Sequence, residues 1–406
     1  MTFARKGRGI CQQVLAKSRI TRWGIFCLLP CLFPMEALLS LLPSARAFAG
    51  SQDYHGQRWE GIVFANRIDP RAHPLSRPWS HLSLALMGIL IVVFSVPSAS
   101  ARIADAPTNT WPLRMAAVTQ AITWLHTQQA ADGTFGARTS DAVYVIARAG
   151  ENPDGPAWRP AGVSALDALR AQAPTYLTDA GRAGKFLRAA VASGQDVRHF
   201  GGVDLVARVN SFYNPATGWY HAGHLYFNAL AIQGLALAGQ PISATTIAAI
   251  RGQQHASGGW EWRIGGLLDE VDTTGMVLQA LAASGVPASD SMFTHATTYL
   301  ANAQHTDAGW SLLPDGNTSS NSTALGLAGL LAAQQNPLAD PFVRGGRTPV
   351  DTLLALQNAD GSFDFQAGVP GDRLMATLDA INVLLQPFPG DSLPPPRAYL
   401  PWSATR

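Results

Sequence analysis

An acidic cluster at Asp269–Asp272 is the part of the sequence best suited to proton chemistry. Asp269, Glu270 and Asp272 occupy three of four consecutive positions, and the apolar stretch "VLQALAASG" follows shortly after. A carboxylic acid that protonates a substrate must be neutral, hydrogen-bonded and close to polarising groups. The same acids could instead stabilise the start of a helix, where negative charge interacts favourably with the helix dipole. Both interpretations, a proton donor and a helix cap, stay open from these residues alone.

Metal and cofactor chemistry find little support. His221 and His224 in "HAGH" could supply two metal ligands, but no third ligand is visible nearby, so they are more simply polar residues before a helix. The only cysteines are Cys11, Cys27 and Cys31, so the rest of the chain can form neither a disulfide nor a thiolate zinc site. No phosphate loop or nucleophile elbow is present. We expect no metal and no cofactor.

The two ends of the chain carry opposite net charge. Residues 1–101 contain 11 Lys/Arg and 4 Asp/Glu, whereas residues 102–406 contain 18 and 23, with Lys185 as the single lysine. A nucleic-acid surface needs clustered positive charge. The mild acidity of the larger part therefore argues against nucleic acid as a partner.

Two export-like segments lie near the N-terminus. The first is apolar from Gly24 to Pro43 but is interrupted by prolines, and the second, His81–Ala101, has an apolar core and ends in "ASA". The second segment predicts a signal peptide or, at about twenty residues, an uncleaved membrane anchor. Residues 1–80 are then expected either to precede the true translation start or to form a genuine double-anchored leader. We expect an exported protein, at the cell surface or in the periplasm, with membrane association through residues 81–101.

A short phrase recurs after residue 112: a polar amide, a tight turn with glycine, then an aromatic. The copies are "QQAADGTFG" (128–136), "NSFYNPATGWY" (210–220), "QQHASGGWEW" (253–262), "QHTDAGW" (304–310) and "QNADGSF" (357–363). The expected loop-anchoring aromatics are Phe135, Trp219, Trp260, Trp310 and Phe363. The first gap spans two periods, which predicts a degenerate copy near Pro174–Gly184. Glycine permits the turn, and the aromatic anchors the loop against neighbouring helices.

Helical periodicity predicts twelve helices and no convincing strand. One set is amphipathic and is expected to begin near Pro112, Ser164, Gly202, Ala244, Ser291 and Thr348. The other set is apolar nearly all round and is expected to begin near Ser140, Arg182, Gly223, Glu270, Ser319 and Asp372. Helices that are apolar on all sides are buried on all sides. Six of each, in alternation, predict an all-α fold with two concentric rings over residues 102–387, followed by a Pro-rich tail at 388–406.

These phrases, with "DTTGMVLQALAASG", "NSTALGLAGLLAAQ" and "RLMATLDAINVLL", resemble the prenyltransferase/squalene-oxidase (QW-type) repeat. Terpenoid cyclases, protein prenyltransferase β subunits and the transcobalamin group share it. The resemblance covers about residues 112–387 and implies an α6/α6 toroid with a ligand cavity at one end of the inner ring. It does not by itself fix the function.

Three comparisons within that superfamily separate the possible functions. Bacterial squalene cyclases carry an Asp-x-Asp-Asp-Thr motif at an inner helix, and this chain has Glu270, Asp272 and Thr273 at the corresponding acidic positions. Asp272 matches the proton donor, but one flanking acid is lost, and those cyclases use two helical domains where this chain has room for one. Prenyltransferases hold zinc with a cysteine that is absent here. Cobalamin carriers need a second domain, which the short tail cannot form.

The favoured prediction is an exported or surface-anchored toroid that binds a small or extended ligand at the mouth of the inner ring and is not by default an enzyme. A terpenoid-cyclase-like enzyme with Asp272 as the catalytic acid is the alternative, and a glycan-facing surface module that uses Tyr220 and Trp262 is the third. The candidate ligand-binding residues are polar groups at or in the inner helices: Tyr144, His224, Tyr226, Asn228, Asp269, Glu270, Thr273, Asn321, Thr323, Asp372, Arg373 and Asp379.

Overall fold

The computed structural model describes residues 110–392, and these form twelve α-helices, one short 3-10 turn and no strand beyond isolated bridges. Every helix begins within three residues of its predicted start. The helices are α1 (Trp111–His126), α2 (Thr139–Arg148), α3 (Ala165–Tyr176), α4 (Ala180–Ala192), α5 (Leu205–Asn210), α6 (Leu225–Leu237), α7 (Ala244–Arg251), α8 (Val271–Ala283), α9 (Ser291–Ala303), α10 (Ser320–Ala332), α11 (Pro349–Leu354) and α12 (Arg373–Leu384).

The helices form two concentric rings, as the alternating pattern predicts. The even-numbered helices contact one another in chain order, and α12 contacts α2, so the inner ring is closed. The odd-numbered helices lie outside it: α3 packs on α2, α5 on α4, α9 on α8, α11 on α10, and α1 on α12. The predicted α6/α6 toroid is confirmed.

Glycines allow the inner helices to pack unusually closely. A Cβ on Gly275 of α8 would lie 2.2 Å from the Leu325 carbonyl oxygen of α10, and a Cβ on Gly329 of α10 would lie 2.8 Å from the Gly275 Cα. The α4–α6 contact has the same character at Gly184, where a Cβ would lie 2.4 Å from the Leu230 carbonyl oxygen. Backbones at this distance leave no room for side chains, so the glycine content follows from the tight inner ring.

The glutamine of each clear repeat phrase links two parts of the ring. Its side-chain amide donates to the carbonyl of the residue four positions later and to a carbonyl of the next outer element. These carbonyl pairs are Gly133 and Trp158 for Gln129, Gly258 and Met292 for Gln254, Ala308 and Phe342 for Gln304, and Gly361 and Ala117 for Gln357. The last pair joins the final repeat to α1 and so helps to close the toroid.

A second recurrent bond fixes each loop to the inner helix that follows. The backbone N–H of the loop aromatic donates to a threonine or asparagine oxygen near the start of the helix. The pairs are Phe135 with Thr139, Tyr220 with Asn228, Trp260 with Thr274, Trp310 with Thr323, and Phe363 with Thr377. Four of the five expected anchors occupy this position. In the remaining copy Tyr220, which is buried, replaces Trp219, so the expectation that Tyr220 is left over for ligand contact is wrong.

The degenerate copy has neither the glutamine nor the aromatic. Residues 177–179 join α3 directly to α4 in the predicted region, and Pro174 lies inside α3. Past Pro387 the chain still contacts the toroid, since the buried Arg114 of α1 lies 4.0 Å from the Phe388 ring centroid and pairs with Asp391. The predicted leader, the export segment and the tail from residue 393 onward lie outside the described residues. Within 110–392, no helix has the length and apolar character needed to cross a membrane.

Replacing Gln129 with leucine should destabilise the protein, because the carbonyls of Gly133 and Trp158 would each lose a donor. We expect a loss of about 1–3 kcal/mol in the free energy of unfolding, measured by urea denaturation of the full chain. The neighbouring Gln128→Leu is the matched control, since exposed Gln128 bonds only to the Thr127 side chain. Equal losses in both variants would show that the amide does not link the repeats.

Candidate functional site

Five residues that accept from the loop N–H groups, here called braces, define a common register for the inner helices. They are Thr139, Asn228, Thr274, Thr323 and Thr377. The residues two positions before each brace in the sequence form a first row, and those two positions after it form a second row. The first row consists of Tyr226, Asp272, Asn321 and Met375, and the second row of Asp141, Leu230, Met276, Leu325 and Asp379. Residues four apart lie on the same side of a helix. Both rows therefore lie on corresponding sides of their helices.

Electrostatic contacts show that these rows face the centre of the ring. Burial raises the pKa of Tyr226 on α6, and so do the charges of three acids. One of them, Asp379, belongs to α12 on the opposite side of the six-helix ring, and the others are Asp272 and Asp141. After burial, the charges of Asp141 and Asp272 in turn raise the pKa of Asp379. Side chains of opposite helices can approach one another only across the ring interior. We call these four residues, Asp141, Tyr226, Asp272 and Asp379, the central cluster.

Asp272 is a buried acid with one oxygen available. Its side chain is almost fully buried, with 2% exposure. The Asn321 amide donates to Oδ2 at 3.3 Å, and the Ser322 hydroxyl neighbours the carboxyl, although no residue that the structure describes forms a bond of ordinary geometry with Oδ1. Burial raises the pKa of Asp272 to about 6, against the lowering effect of the Ser322 hydroxyl. The neutral form therefore predominates below that pH, with Oδ1 able to donate or accept a proton.

The Glu270 side chain links the start of α8 to the preceding loop. Its carboxyl oxygen Oε2 accepts from the Thr273 hydroxyl at 2.8 Å and from the Trp262 N–H at 3.2 Å. Burial raises the pKa of Glu270 to about 8, so it is mainly protonated at neutral pH. Neither Glu270 nor Asp272 makes a side-chain cap to the helix. Their oxygens bond instead to side chains and to the preceding loop, while Asp272 still lies in the first turn of α8, where a carboxylate interacts favourably with the helix dipole.

The opposite part of the interior carries ionised groups. Asp141 of α2 pairs with Lys185 at 2.7 Å and lies 3.8 Å from Arg188, both on α4. These two cations hold the pKa of Asp141 low against its burial. Arg188 also lies over the Tyr144 ring, 4.6 Å from its centroid, and donates to Gln233 Oε1 of α6 at 2.6 Å. The charged half of the ring thus lies on α2, α4 and α12, whereas the second-row residues of α6, α8 and α10 are Leu230, Met276 and Leu325.

Asp379 titrates within this charged half. Burial, and then the neighbouring Asp141, raise its pKa to about 7 against the opposing effects of Arg138 and Lys185. Arg138 itself pairs with Asp372 at 2.8 Å, at the start of α12. Asp372 also caps that helix through the Met375 N–H.

The other candidate residues are held by local partners. Asp269 pairs with His255 at 2.6 Å, and Arg373 pairs with Asp364 at 2.7 Å. Asn228 and Thr323 are fully buried loop braces, and Asn228 further donates to the carbonyls of His221 and His224. The His224 ring contacts the rings of His221 and Phe227 at tilted angles and that of Trp262 edge-on, and its buried Nδ1 has no bond from a described residue. Within residues 110–392, no three His, Cys, Asp or Glu side chains are grouped to hold a metal.

Sequence reasoning missed the basic side of the interior. The sequence alone assigns no role to Asp141, and it singles out Lys185 only as the single lysine after residue 101. A stronger signal was available, because α4 carries Lys185 and Arg188 three residues apart within the small-residue sequence "AGRAGKFLRAAVA". Charged residues on an otherwise buried helix must have partners, which points to the ring centre.

Solved structures of low identity support the fold. A single-residue variant of the type II terpene cyclase MstE from Scytonema, in complex with geranylgeranyl dihydroxybenzoate, is 17% identical with a TM-score of 0.50, over 68% of this chain and 97% of that chain. The apo form of MstE matches at 17% and 0.49, over 67% and 98% of the two chains. A glycosidase variant in complex with glucose matches at 14% and 0.46, over 68% and 96%. No protein-family model and no curated protein sequence matches. At 17% identity, the first of these likenesses shows the toroid fold alone.

The buried acids predict that stability falls as pH rises. Glu270, Asp379 and Asp272 have raised pKa values, so between about pH 4 and pH 8 the folded chain retains protons that the unfolded chain releases. Glu270→Gln should remove one such proton, and its stability relative to wild type should increase with pH, by at most about 1.4 kcal/mol per pH unit. Urea denaturation from about pH 5 to pH 9 measures this difference. Exposed Asp132→Asn is the control: hydrogen bonds from Thr134 lower the pKa of Asp132, so it is ionised in the folded and the unfolded chain above pH 5 and should give a constant difference. A constant difference for Glu270→Gln would contradict the burial argument.

Proposed function

We propose that this protein binds a small or extended ligand at the centre of its inner ring, from the end at which the inner helices begin. The observation that supports this proposal most directly is the central cluster. Four side chains from four helices converge across the ring, although burial of charged and polar groups is unfavourable unless they find partners. Asn321 Oδ1 and Arg188 Nε are buried atoms that no residue in 110–392 bonds, and Asp272 Oδ1 has only the nearby Ser322 hydroxyl. A polar ligand would satisfy them.

The character of the interior favours a ligand that is polar at one side and apolar at the other. Ion pairs occupy the α2–α4–α12 side, whereas Leu230, Met276 and Leu325 occupy the second row of the other three helices. An interior lined mainly by aromatic residues, which the cyclase hypothesis expects, is not what these rows provide. Their mixture of charge and aliphatic surface fits an amphiphilic ligand better than a pure hydrocarbon.

A cyclase-like enzyme with Asp272 as general acid is the second candidate. Its support is the buried carboxyl with one hydrogen-bonded oxygen and one available oxygen. The two helical domains of the squalene cyclases do not weigh against this candidate, since 68% of this chain covers 97% of a type II terpene cyclase chain. Because the pKa of Asp272 is about 6, proton donation would be fastest below that pH and would decline as the carboxyl ionises.

Ligand capture with the variant Asp272→Asn separates these two functions. The full chain would be incubated with lysate lipids and a panel of polyprenes, prenyl diphosphates and corrinoids, and retained compounds identified by chromatography and mass. We expect an unaltered compound that Asp272→Asn retains less strongly, by about tenfold, since a buried hydrogen-bonding acid is lost. Asp290→Asn, at the start of outer helix α9, is the control and should behave as wild type.

Two outcomes would contradict the binding proposal. An isomer with a new retention time, formed by wild type and Asp290→Asn but not by Asp272→Asn, would establish the cyclase. Retention of no compound from the panel would contradict binding of these compound classes at the ring centre, and glycans would be tested next.

We further propose that residues 81–101 direct export of the chain. The support is the apolar core with a small-residue end, followed by the cysteine-free remainder of the chain. Expression of the full chain, followed by N-terminal sequencing of protein recovered outside the cytoplasm, tests this. A new N-terminus close to Ala101 is expected for a cleaved signal peptide, and an intact segment in the membrane fraction for an anchor. Full-length protein confined to the cytoplasm would overturn the proposal.

A further inference from the structure

Two cations on the inner helix α4 share a single carboxylate. Lys185 and Arg188 are three residues apart and so lie on the same side of the helix. The Lys185 Nζ is 2.7 Å from Asp141 Oδ2, and the Arg188 Nη2 is 3.8 Å from Asp141 Oδ1. One negative charge therefore serves two positive charges, and one positive charge stays uncompensated within this group.

Arg188 has an unused donor in a buried position. The residue is 7% exposed, its guanidinium lies over the Tyr144 ring, and Nη1 donates to Gln233 Oε1. Its Nε has no acceptor among the described residues. A buried donor without an acceptor costs about 1–3 kcal/mol, and more when it is charged. The position between α2, α4 and α6 means that an acceptor would have to come from the ring interior.

The surrounding charged groups do not supply the missing acceptor. Arg138 and Asp372 pair with each other, and Arg148, at the far end of α2, donates to the Asn382 carbonyl at 3.1 Å. Asp379 faces the pair from α12, but its pKa of about 7 means that it is largely protonated in mildly acidic solution. Tyr226 faces Arg188 from α6 at the first row. Below about pH 7 the excess positive charge on α4 therefore persists in the folded protein.

We infer that Lys185 and Arg188 form a binding subsite for a carboxylate group of the ligand that enters the inner ring. The inference rests on the proposed function and specifies its ligand class. A carboxylate brings one negative charge, which matches the one uncompensated positive charge, and two acceptor oxygens, one for Arg188 Nε and one for Lys185 Nζ. A diphosphate would bring more negative charge than the pair can balance. The aliphatic second row then receives the apolar part, so the ligand is an apolar carboxylic acid.

Calorimetric titration of the full chain with dodecanoate, dodecanol and dodecyl diphosphate tests the subsite. Wild type should bind dodecanoate more tightly than the other two probes. Arg188→Gln and Lys185→Gln should each weaken dodecanoate binding by about tenfold or more, because a charge-assisted hydrogen bond is lost. The matched control is Arg182→Gln, which removes an exposed arginine from the same helix and should leave the affinity unchanged. Arg188→Lys, which keeps the charge, should retain part of the affinity.

Asp141→Asn gives a test of opposite sign. It removes the carboxylate that competes for both cations, so dodecanoate affinity should increase several-fold, which a merely structural role of Asp141 would not produce. Equal affinity in wild type, Lys185→Gln and Arg188→Gln, tighter binding of the diphosphate, or no binding of dodecanoate would each overturn the inference. If capture from the lipid panel still succeeds, the proposed function stands without this subsite. If capture fails while dodecanoate binds through Lys185 and Arg188, the subsite stands alone.

Discussion

Closure of the inner ring is the constraint on which the rest of this structure depends. A row of six helix pairs buries its ends only if the last repeat contacts the first, and here Gln357 donates to the Ala117 carbonyl of α1. Arg114 of α1, fully buried, adds bonds to the carbonyls of Leu384 and Gln386 after α12. The same glutamine bond between neighbouring repeats occurs in the interior of the series. Ring closure is therefore the repeat contact used once more, between the two ends of the toroid.

Closure also determines the chemistry of the centre. Once the helices enclose the interior, water screens the acids there less, and burial becomes the first cause of the raised pKa values of Glu270, Asp272 and Asp379. Asp141 lies in the same enclosure but stays ionised, because Lys185 and Arg188 lie beside it. Acids with the same side chain thus acquire different protonation states through their neighbours. Such divergence is typical of ligand and catalytic sites.

The interior is divided between two kinds of surface. Ion pairs and hydrogen-bonded amides gather near α2, α4 and α12, and aliphatic side chains line α6, α8 and α10 at the second row. The first row contributes Asp272 and Asn321 on the aliphatic side. A ligand with one charged end and one apolar end would match both surfaces at once. A purely polar or purely hydrocarbon ligand would leave one surface without suitable partners.

The sequence by itself determined the all-α class, the twelve helices and the closed repeat, because each helix carries its own apolar period and each loop its own glutamine, glycine and aromatic. It also singled out Asp272, Tyr226, Asn321 and Asp379 as polar residues on buried helices. The tertiary structure decided which of these converge. Tyr226 and Asp379 are 153 positions apart and meet only because the ring brings opposite helices together.

The roles of Asn228 and Thr323 were likewise decided by tertiary contacts, since a loop fold presents an N–H to each of them. The pairing of Lys185 with Asp141 depends on two inner helices lying side by side, which local periodicity does not encode. Helix formation is a property of neighbouring residues and is visible in the sequence. The protonation and partners of a buried side chain depend on residues far along the chain, and only the folded ring defines them.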